Sequence, residues 1–151
     1  MENFSNTVCT KDEAIVTRKE ITEEIARRLY SIVYATQSDD NLTLHFTNTT
    51  LEIDGDEGRV FIRVFRDELQ IAYVIFKHKR KGTCSKVLNE CKLICKELEL
   101  TKILMESVLT DDMECFCKKH GFNLKDEPYK SSSKNYILGI KSDGDHAVFR
   151  K

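Results

Sequence analysis

The chain contains 151 residues, of which 40% are hydrophobic and 32% are charged, and its formal net charge at pH 7 is −1. This length suits one domain with a substantial core, so we expect residues 1–151 to form a single domain. The near-neutral charge argues against a protein that coats nucleic acid non-specifically, and no apolar stretch is long enough to cross a membrane.

The cysteine pattern and the N-terminal residues indicate a reducing, intracellular location. The start of the chain lacks the charged and apolar regions of a secretory signal. The six cysteines are not spaced like a secreted disulfide framework, and buried cysteine commonly acts as a small hydrophobic residue. The sequence contains no CxxC pair, so we predict no metal site.

The first part of the chain predicts a helix followed by a set of short strands. Residues 1–16 have no clear pattern and are expected to form a loose tail. Thr17 and Glu20 have the spacing of a capping box, and the apolar periodicity that follows predicts a helix to about Ala35. Alternating apolar residues and turn clusters then predict strands at 42–46 and 51–53, a turn at 54–58, a strand at 60–65, and a hairpin at 66–67.

A buried strand, a basic turn and an amphipathic helix follow, and the sequence is organised around them. Residues 71–76 form a continuous apolar run of the kind found in strands buried on both faces. Residues 77–82, which we call the basic turn, contain four cations and a glycine. From Cys84 to Leu98 the apolar residues recur at helical spacing. The first N–H groups of a helix have no partner within it, so this junction is suited to bind an anion such as phosphate.

The last third of the chain predicts a further strand, a short helix and two closing strands. Thr110 is suited to cap the short helix, and Gly121 is suited to the position after its last turn. These elements are a strand at 102–109, a helix ending at 120, strands at 122–124 and 136–140, and a loose tail at 141–151.

The segment around the basic turn resembles the acetyl-CoA-binding core of the GNAT superfamily of N-acetyltransferases. The signature of that family is a strand ending in a hydrophobic residue, then Gln or Arg, two residues, Gly, one residue, and Gly or Ala at the start of a helix. The corresponding residues are Val74 on the strand, Lys79, Gly82 and Cys84. Lys stands where the family has Gln or Arg, and Cys stands where it has the second Gly or Ala.

A second feature is similar to the same family. The short helix closes on Lys118-Lys119-His120-Gly121-Phe122, and GNAT proteins have a helix that ends on a basic residue followed by Gly-Phe at this distance. The resemblance covers about residues 42–140. It implies an α+β, or α/β, fold with a mixed, mostly antiparallel sheet, helices on both faces, and a splayed central strand pair that receives the pantetheine arm.

The resemblance implies an enzyme, an acyl-CoA-dependent N-acyltransferase with acetyl-CoA as co-substrate. An amine on a protein or a small molecule would attack the thioester directly. Backbone N–H groups of the basic turn and helix start would bind the diphosphate, and those of the central strand would polarise the carbonyl. The first set is Lys79, Arg80, Lys81, Gly82, Thr83, Cys84 and Ser85, and the second is Ala72, Tyr73 and Val74.

Four side chains are candidates for catalysis. Glu68 lies six residues before Val74, the offset at which one histone-acetylating branch of the family places its catalytic glutamate, so the resemblance implies a general base there. The family's usual acid is a Tyr four residues before the Gly of the Gly-Phe pair, and Cys117 occupies that position. A thiol with a pKa near its ordinary value of about 8.5 can donate a proton. Tyr73 is an alternative donor, as is Tyr136.

Cys84 also carries an expectation about reactivity. It lies at a predicted helix N-terminus among lysines, and both features stabilise a thiolate. We therefore expect its pKa to be lowered and, if it is exposed, its thiol to react faster than the other five.

Two other functions are compatible with the sequence. The replacements at Cys84 and Cys117 suit a catalytically inactive domain that binds CoA or another protein. The order α, β, β, β, α up to Leu98 also resembles a double-stranded-RNA-binding module, but residues 102–140 would then have no role, so we do not expect nucleic-acid binding. The acceptor is not indicated, and the sequence is compatible with a monomer or a homodimer.

Overall fold

The computed structural model of the protein describes residues 20–108, 110–125 and 134–140. The predicted tails at 1–16 and 141–151 lie outside the described residues, as does Thr17. The helices are α1 (Glu23–Gln37), α2 (Thr83–Leu98) and α3 (Asp111–Lys119). The strands are β1 (Thr43–Phe46), β2 (Thr50–Asp54), β3 (Gly58–Phe65), β4 (Glu68–Phe76), β5 (Lys102–Val108), β6 (Asn123–Leu124) and β7 (Lys134–Gly139).

The strands form one seven-stranded sheet in the order β1-β2-β3-β4-β5-β7-β6. β4 and β5 are parallel, and every other neighbouring pair is antiparallel. α2 connects β4 to β5, and α3 connects β5 to β6. This mixed, mostly antiparallel sheet confirms the predicted fold class.

One face of the sheet, which we call the core face, carries the hydrophobic core. The strand registers place Ile62, Ile71, Met105 and Tyr136 side by side on this face, and all four are buried. Burying an apolar side chain of this size stabilises the fold by about 1.5–3 kcal/mol. The opposite face, which we call the polar face, carries ion pairs such as that between Arg59 and Asp54 at 2.8 Å.

The three described helices pack on the core face, whereas the prediction placed helices on both faces. A Cβ at Gly58 would lie 3.0 Å from Val33 of α1. Leu88 of α2 and Phe116 of α3 line the same cleft as Ile71. Right-handed crossovers that proceed in the same direction across a sheet place their helices on the same face. The connections from β4 to β5 and from β5 to β6 proceed in the same direction.

α1 begins and ends later than predicted. The N-cap of the described helix is Thr22, whose Oγ1 accepts a hydrogen bond from the N–H of Ile25 at 3.3 Å. The helix continues beyond Ala35 to Gln37, a polar residue at the next position of the buried stripe after Val33. The buried residues of α1 are Ile25, Ala26, Leu29, Val33 and Gln37.

The caps predicted for the short helix α3 are confirmed. Thr110 is its N-cap and accepts a hydrogen bond from the N–H of Met113 at 3.2 Å. Gly121 follows the helix with a φ of 90°, a conformation that glycine adopts without steric cost. None of the helices in the described ranges is long and apolar enough to span a membrane.

A buried carboxylate organises the turn between β2 and β3. Asp39 accepts hydrogen bonds from the N–H groups of Glu57 at 2.6 Å, Asn41 at 3.0 Å and Gly58 at 3.2 Å. Burial alone would raise the pKa of this carboxyl, but the backbone donors outweigh burial and hold the pKa below its ordinary value. Gly55 is required beside it, since a Cβ there would lie 2.3 Å from an Asp39 oxygen.

Replacing Asp39 by Asn should lower the free energy of unfolding at pH 7 by about 2–4 kcal/mol, because several backbone donors lose a charged acceptor. The native pKa is lowered, so this stabilisation is fully present above the unfolded pKa of about 3.9 and is lost as pH falls through the native pKa. Urea unfolding of both proteins should therefore show a difference that shrinks between pH 7 and about pH 3. A difference of constant size would contradict this role of the charge.

Candidate functional site

β4 and β5 part partway along their length. They pair in parallel through four rungs, from Glu68 with Lys102 to Ile71 with Met105, and both strands then continue without further pairing to each other. The paired end of this strand pair is therefore closed, and the other end is open.

A β-bulge in β4 coincides with the parting. The consecutive residues Phe61 and Ile62 of β3 pair with Tyr73 and Ile71 of β4, so Ala72 is an extra residue. A bulge bends its strand and increases the local twist. Beyond Ala72, β4 stays paired with β3 and separates from β5. The predicted splayed strand pair is thus confirmed.

The parted strands and the start of α2 border a narrow apolar cleft, whose volume is about 10 Å³. Its walls come from β4, β5, α2 and α3, all on the core face. Since none of these lining side chains is charged, the cleft favours contact with an apolar group over a charged one. The lining residues are Ile71, Val74, Cys84, Val87, Leu88, Met105 and Phe116.

The basic turn leads into a helix N-terminus without a side-chain cap. Gly82 is the N-cap of α2, with a φ of 74°, and Arg80 is also left-handed, with a φ of 64°. Within the described ranges, no backbone N–H from residue 79 to residue 85 donates a hydrogen bond to a protein acceptor. The amides predicted to bind an anion are therefore not occupied by protein atoms there.

Five cations surround these amides, and all of them are exposed. In the part of the chain that the structure describes, none of the five forms an ion pair with a carboxylate. The N-terminal end of the α2 dipole adds to their positive potential. The five residues are Lys77, Lys79, Arg80, Lys81 and Lys86.

A buried side chain from α1 contacts both ends of the basic turn. Nε2 of Gln37 donates to the carbonyl oxygen of His78 at 3.0 Å and to Oγ1 of Thr83 at 2.9 Å. Oε1 of Gln37 accepts from the N–H of His78 at 2.9 Å. Gln37 is 0% exposed and Thr83 is 4% exposed, so these hydrogen bonds are shielded from water.

The predicted lowering of the Cys84 pKa is wrong. Burial raises the pKa of this thiol, and the nearby charge of Lys79 offsets only part of that effect. The sequence shows the lysines and the helix start, but not that the thiol lies in the wall of the cleft.

Glu68 lies on the polar face, at the closed end of the paired segment. Its Oε2 accepts a hydrogen bond from Gln70 at 2.7 Å, and Gln70 accepts one from Nε of Arg63 at 3.0 Å. Nη2 of Arg63 donates to both carboxylate oxygens of Glu106, at 2.7 and 2.8 Å. Glu106 directly follows Met105, the last residue of β5 that pairs with β4, whereas Glu68 lies three residues, or about 10 Å, before the parting.

Tyr73 lies just beyond the bulge, on the polar face. Its ring stacks on Phe61 with the ring centroids 5.8 Å apart, and its hydroxyl donates to Oε2 of Glu52 at 3.3 Å. Burial raises the pKa of this phenol, and the nearby Glu52 charge raises it further. Glu52 belongs to β2, on the side of β3 away from β5, so the hydroxyl is directed away from the cleft.

Cys117 lies on the core side of the sheet, in α3. It is 0% exposed, and burial raises its pKa to about 11.

Tyr136 lies near Cys117, on β7, and its hydroxyl donates to Oε2 of Glu114 at 2.6 Å. This hydrogen bond raises the pKa of Tyr136 to about 12. α3 thus holds the phenol through Glu114. On the sheet, Tyr136 pairs with Met105, which lines the cleft.

The structure brings the predicted diphosphate segment, residues 79–85, to one end of the cleft. It does not bring the four catalytic candidates together. Glu68 and Tyr73 lie on the polar face, and Cys117 and Tyr136 lie on the core side. Within the described ranges, no group of three or more His, Cys, Asp or Glu side chains is arranged to hold a metal ion.

Two residues near the site, Gln37 and Glu106, are not among those predicted from the sequence. A signal for Gln37 was present, because the buried stripe of Ile25, Leu29 and Val33 continues at the next i+4 position onto this glutamine. A polar residue on an apolar stripe requires a specific hydrogen-bonding partner. Glu106 had no comparable signal, since its importance depends on where two strands stop pairing.

Comparisons with known proteins agree with this geometry at the level of the fold. An acetyltransferase of the GNAT family from Staphylococcus aureus is 12% identical, over 81% of this chain and 97% of its own, with a TM-score of 0.52. The PaiA N-acetyltransferase from Thermoplasma acidophilum, in complex with coenzyme A, is 14% identical, over 85% of this chain and 92% of its own, with a TM-score of 0.50. The protein therefore has the GNAT superfamily fold. No family profile and no curated protein matches the sequence.

The shared sheet also bears on the RNA-binding interpretation. β5 and β7 continue the same sheet as β1 to β4, so the α, β, β, β, α segment is not a separate module. The GNAT fold gives residues 102–140 the structural role that an RNA-binding module leaves unexplained.

The exposure of the thiols predicts the order in which they are alkylated. Of the described cysteines, Cys115 is exposed, Cys84 is half-buried, and Cys91, Cys95 and Cys117 are buried. Because a thiol must be accessible and ionised to react, limited iodoacetamide at about pH 8 should label Cys115 first and Cys84 second. Peptide mass spectrometry gives the order, and labelling of a buried thiol before Cys115 would contradict it.

Proposed function

We propose that this protein is an acyl-CoA-dependent N-acyltransferase that transfers an acetyl or related acyl group from acyl-CoA to an amine acceptor. One observation carries the proposal. β4 and β5 part beside a helix N-terminus whose amides and surrounding cations have no partners within the described ranges. A diphosphate needs such amides and cations, and a pantetheine arm needs an apolar channel next to them. The GNAT fold supports the same function.

The donor would bind along the line from the basic turn to the bulge. N–H groups of residues 79–85 would hold the diphosphate, with the exposed cations neutralising its charge. The pantetheine arm would follow the apolar cleft past Val74 and Met105. The thioester would then lie near Ala72, where the bulge frees β4 from β5 and leaves main-chain groups available to the ligand.

The transfer step follows from this placement. A deprotonated amine attacks the thioester carbonyl carbon, and the carbon–nitrogen bond forms as the carbonyl oxygen becomes an oxyanion. N–H groups of residues 72–74 would stabilise the oxyanion. The carbon–sulfur bond then breaks, the amide product forms, and the CoA sulfur takes a proton. A base must accept the amine's proton before or during attack.

Reversing a charge in the basic turn should weaken donor binding. Lys79→Glu places a carboxylate where the diphosphate is proposed to lie, so we expect Kd for acetyl-CoA to rise about tenfold, and more at low ionic strength. Lys96→Glu makes the same charge change near the other end of α2, about 20 Å away, and should leave Kd within about twofold. Isothermal titration measures both.

The wild-type protein provides the direct test. Acetyl-CoA at about a hundred times its Kd should raise the stability by about 2.7 kcal/mol, which shifts the melting temperature by several degrees. If millimolar acetyl-CoA leaves the melting temperature of the wild-type protein unchanged, the proposed function fails, whatever the variants show.

The general base is tested by replacing Glu68 and Glu106, the two carboxylates that are connected by hydrogen bonds through Gln70 and Arg63. Glu68→Gln should lower kcat about 10²- to 10⁴-fold, with KM for acetyl-CoA unchanged. Glu106→Gln is assayed beside it, because Glu106 is nearer to the parting. Glu52→Gln, on the same face but directed at Tyr73, is the control. The assay follows thiol release with a lysine peptide and a polyamine.

The three variants have distinct outcomes. A loss confined to Glu106→Gln would move the base from Glu68 to Glu106. Full activity in both variants would contradict a carboxylate base on the polar face. An equal loss in Glu52→Gln would indicate a general effect of the charge on this face.

Cys117 favours a second candidate function, a domain that binds CoA without transferring an acyl group. A thiol whose pKa is raised to about 11 donates its proton to a leaving thiolate less readily than an ordinary thiol. Binding of acetyl-CoA without thiol release across the amine panel would favour this function over catalysis.

A further inference from the structure

We infer that Gln37, at the end of α1, is the positioning residue that sets the shape of the basic turn and thereby the affinity for CoA. This inference rests on the proposed function for the ligand, and on the structure for the turn. Gln37 belongs to a different element from the proposed CoA-binding segment and lies 41 residues before His78 in the chain.

The side-chain amide of Gln37 pairs with main-chain groups as a neighbouring strand would. It donates to the carbonyl oxygen of His78 and accepts from the N–H of the same residue, at 3.0 and 2.9 Å. This two-bond exchange is the unit of an antiparallel ladder. β4 ends at Phe76, so Gln37 fixes the chain two residues after the strand stops.

The same amide fixes the other end of the turn. Nε2 of Gln37 is 3.0 Å from the His78 carbonyl oxygen and 2.9 Å from Oγ1 of Thr83, so these two oxygens lie within about 6 Å of each other. Residues 79–82 therefore form a tight loop between His78 and Thr83, which both accept a hydrogen bond from Nε2 of Gln37. Thr83 is the first residue of α2, which means that Gln37 also fixes where the helix begins.

Few other hydrogen bonds restrain the loop. The N–H of Lys77 donates to Glu57 at its start, and the N–H of Lys86 donates to Gly82 at its end. In the described ranges, no hydrogen bond reaches residues 79–81. A backbone segment of this kind keeps one shape only if its ends are fixed.

The loop contains a conformation that needs such restraint. Arg80 has a φ of 64°, a left-handed value that costs free energy for a residue with a Cβ. With its ends fixed at His78 and Thr83, the loop holds this geometry and directs its free amides outward. Without Gln37, Arg80 can relax to a negative φ, and the ligand must then reorder the loop on binding, which weakens affinity.

The test compares two variants of α1. Gln37→Met keeps the length of the side chain and removes its three hydrogen bonds, and Val33→Ala removes apolar contacts one turn earlier on the same buried stripe. Both variants lower the melting temperature. We expect Gln37→Met to raise Kd and KM for acetyl-CoA about tenfold with kcat within about twofold, and Val33→Ala to leave Kd within about twofold.

A second pair of variants separates the hydrogen bond from the packing at Thr83. Thr83→Ser keeps the hydroxyl that Gln37 contacts, so we expect it to bind acetyl-CoA more tightly than a variant without the hydroxyl. Thr83→Val keeps the shape, removes one of the three contacts, and should raise Kd about threefold. Equal affinities for the two variants would overturn the role of this contact.

Limited trypsin digestion tests the turn without any ligand. The turn contains tryptic sites at Lys79, Arg80 and Lys81, and we expect cleavage there to be faster in Gln37→Met than in Val33→Ala. If both variants bind acetyl-CoA and are cleaved alike, the inference is overturned. If the wild-type protein binds no acetyl-CoA, the proposed function fails, and the cleavage rates still decide whether Gln37 shapes the turn.

Discussion

The hydrogen-bond ladder between β4 and β5 stops after four rungs, and the rest of the site depends on this limit. Had the ladder continued, the two strands would have filled the space that now forms the cleft. The bulge at Ala72 supplies the cause, because an extra residue bends its strand, and beyond this position β4 stays paired with β3 but not with β5. The same bend directs the end of β4 to the amides at the start of α2. One local irregularity thus creates both the apolar channel and its polar end.

The site is divided between the two faces of the sheet. The cleft, the helix N-terminus and Cys117 lie on the core face, with the helices. The carboxylates of Glu68 and Glu106 lie on the polar face, joined through Gln70 and Arg63. Under the proposed function, the donor approaches from one face and the acceptor's proton leaves toward the other. The two faces of the sheet are connected at the open end of the strand pair, where β4 and β5 no longer pair.

Most of the fold could be predicted because its elements have strong local patterns. Apolar patterns predict the central strand and the helix after it. The cations and the glycine between these two segments predict the basic turn. Three features could not be predicted, because each depends on contacts between distant segments. The pKa of Cys84 depends on burial against β4 and β5, the role of Gln37 depends on docking α1 beside the turn, and the position of Glu106 depends on strand register.

The five cations at the basic turn and the start of α2 make the distribution of charge along the chain uneven. The total formal charge is −1, so removing the five positive charges between residues 77 and 86 leaves −6 for the remainder of the chain. This concentration of positive charge raises the local electrostatic potential at the entrance of the cleft. Polyanionic ligands are oriented by such a field before contact, so their association rate, more than their dissociation rate, depends on ionic strength.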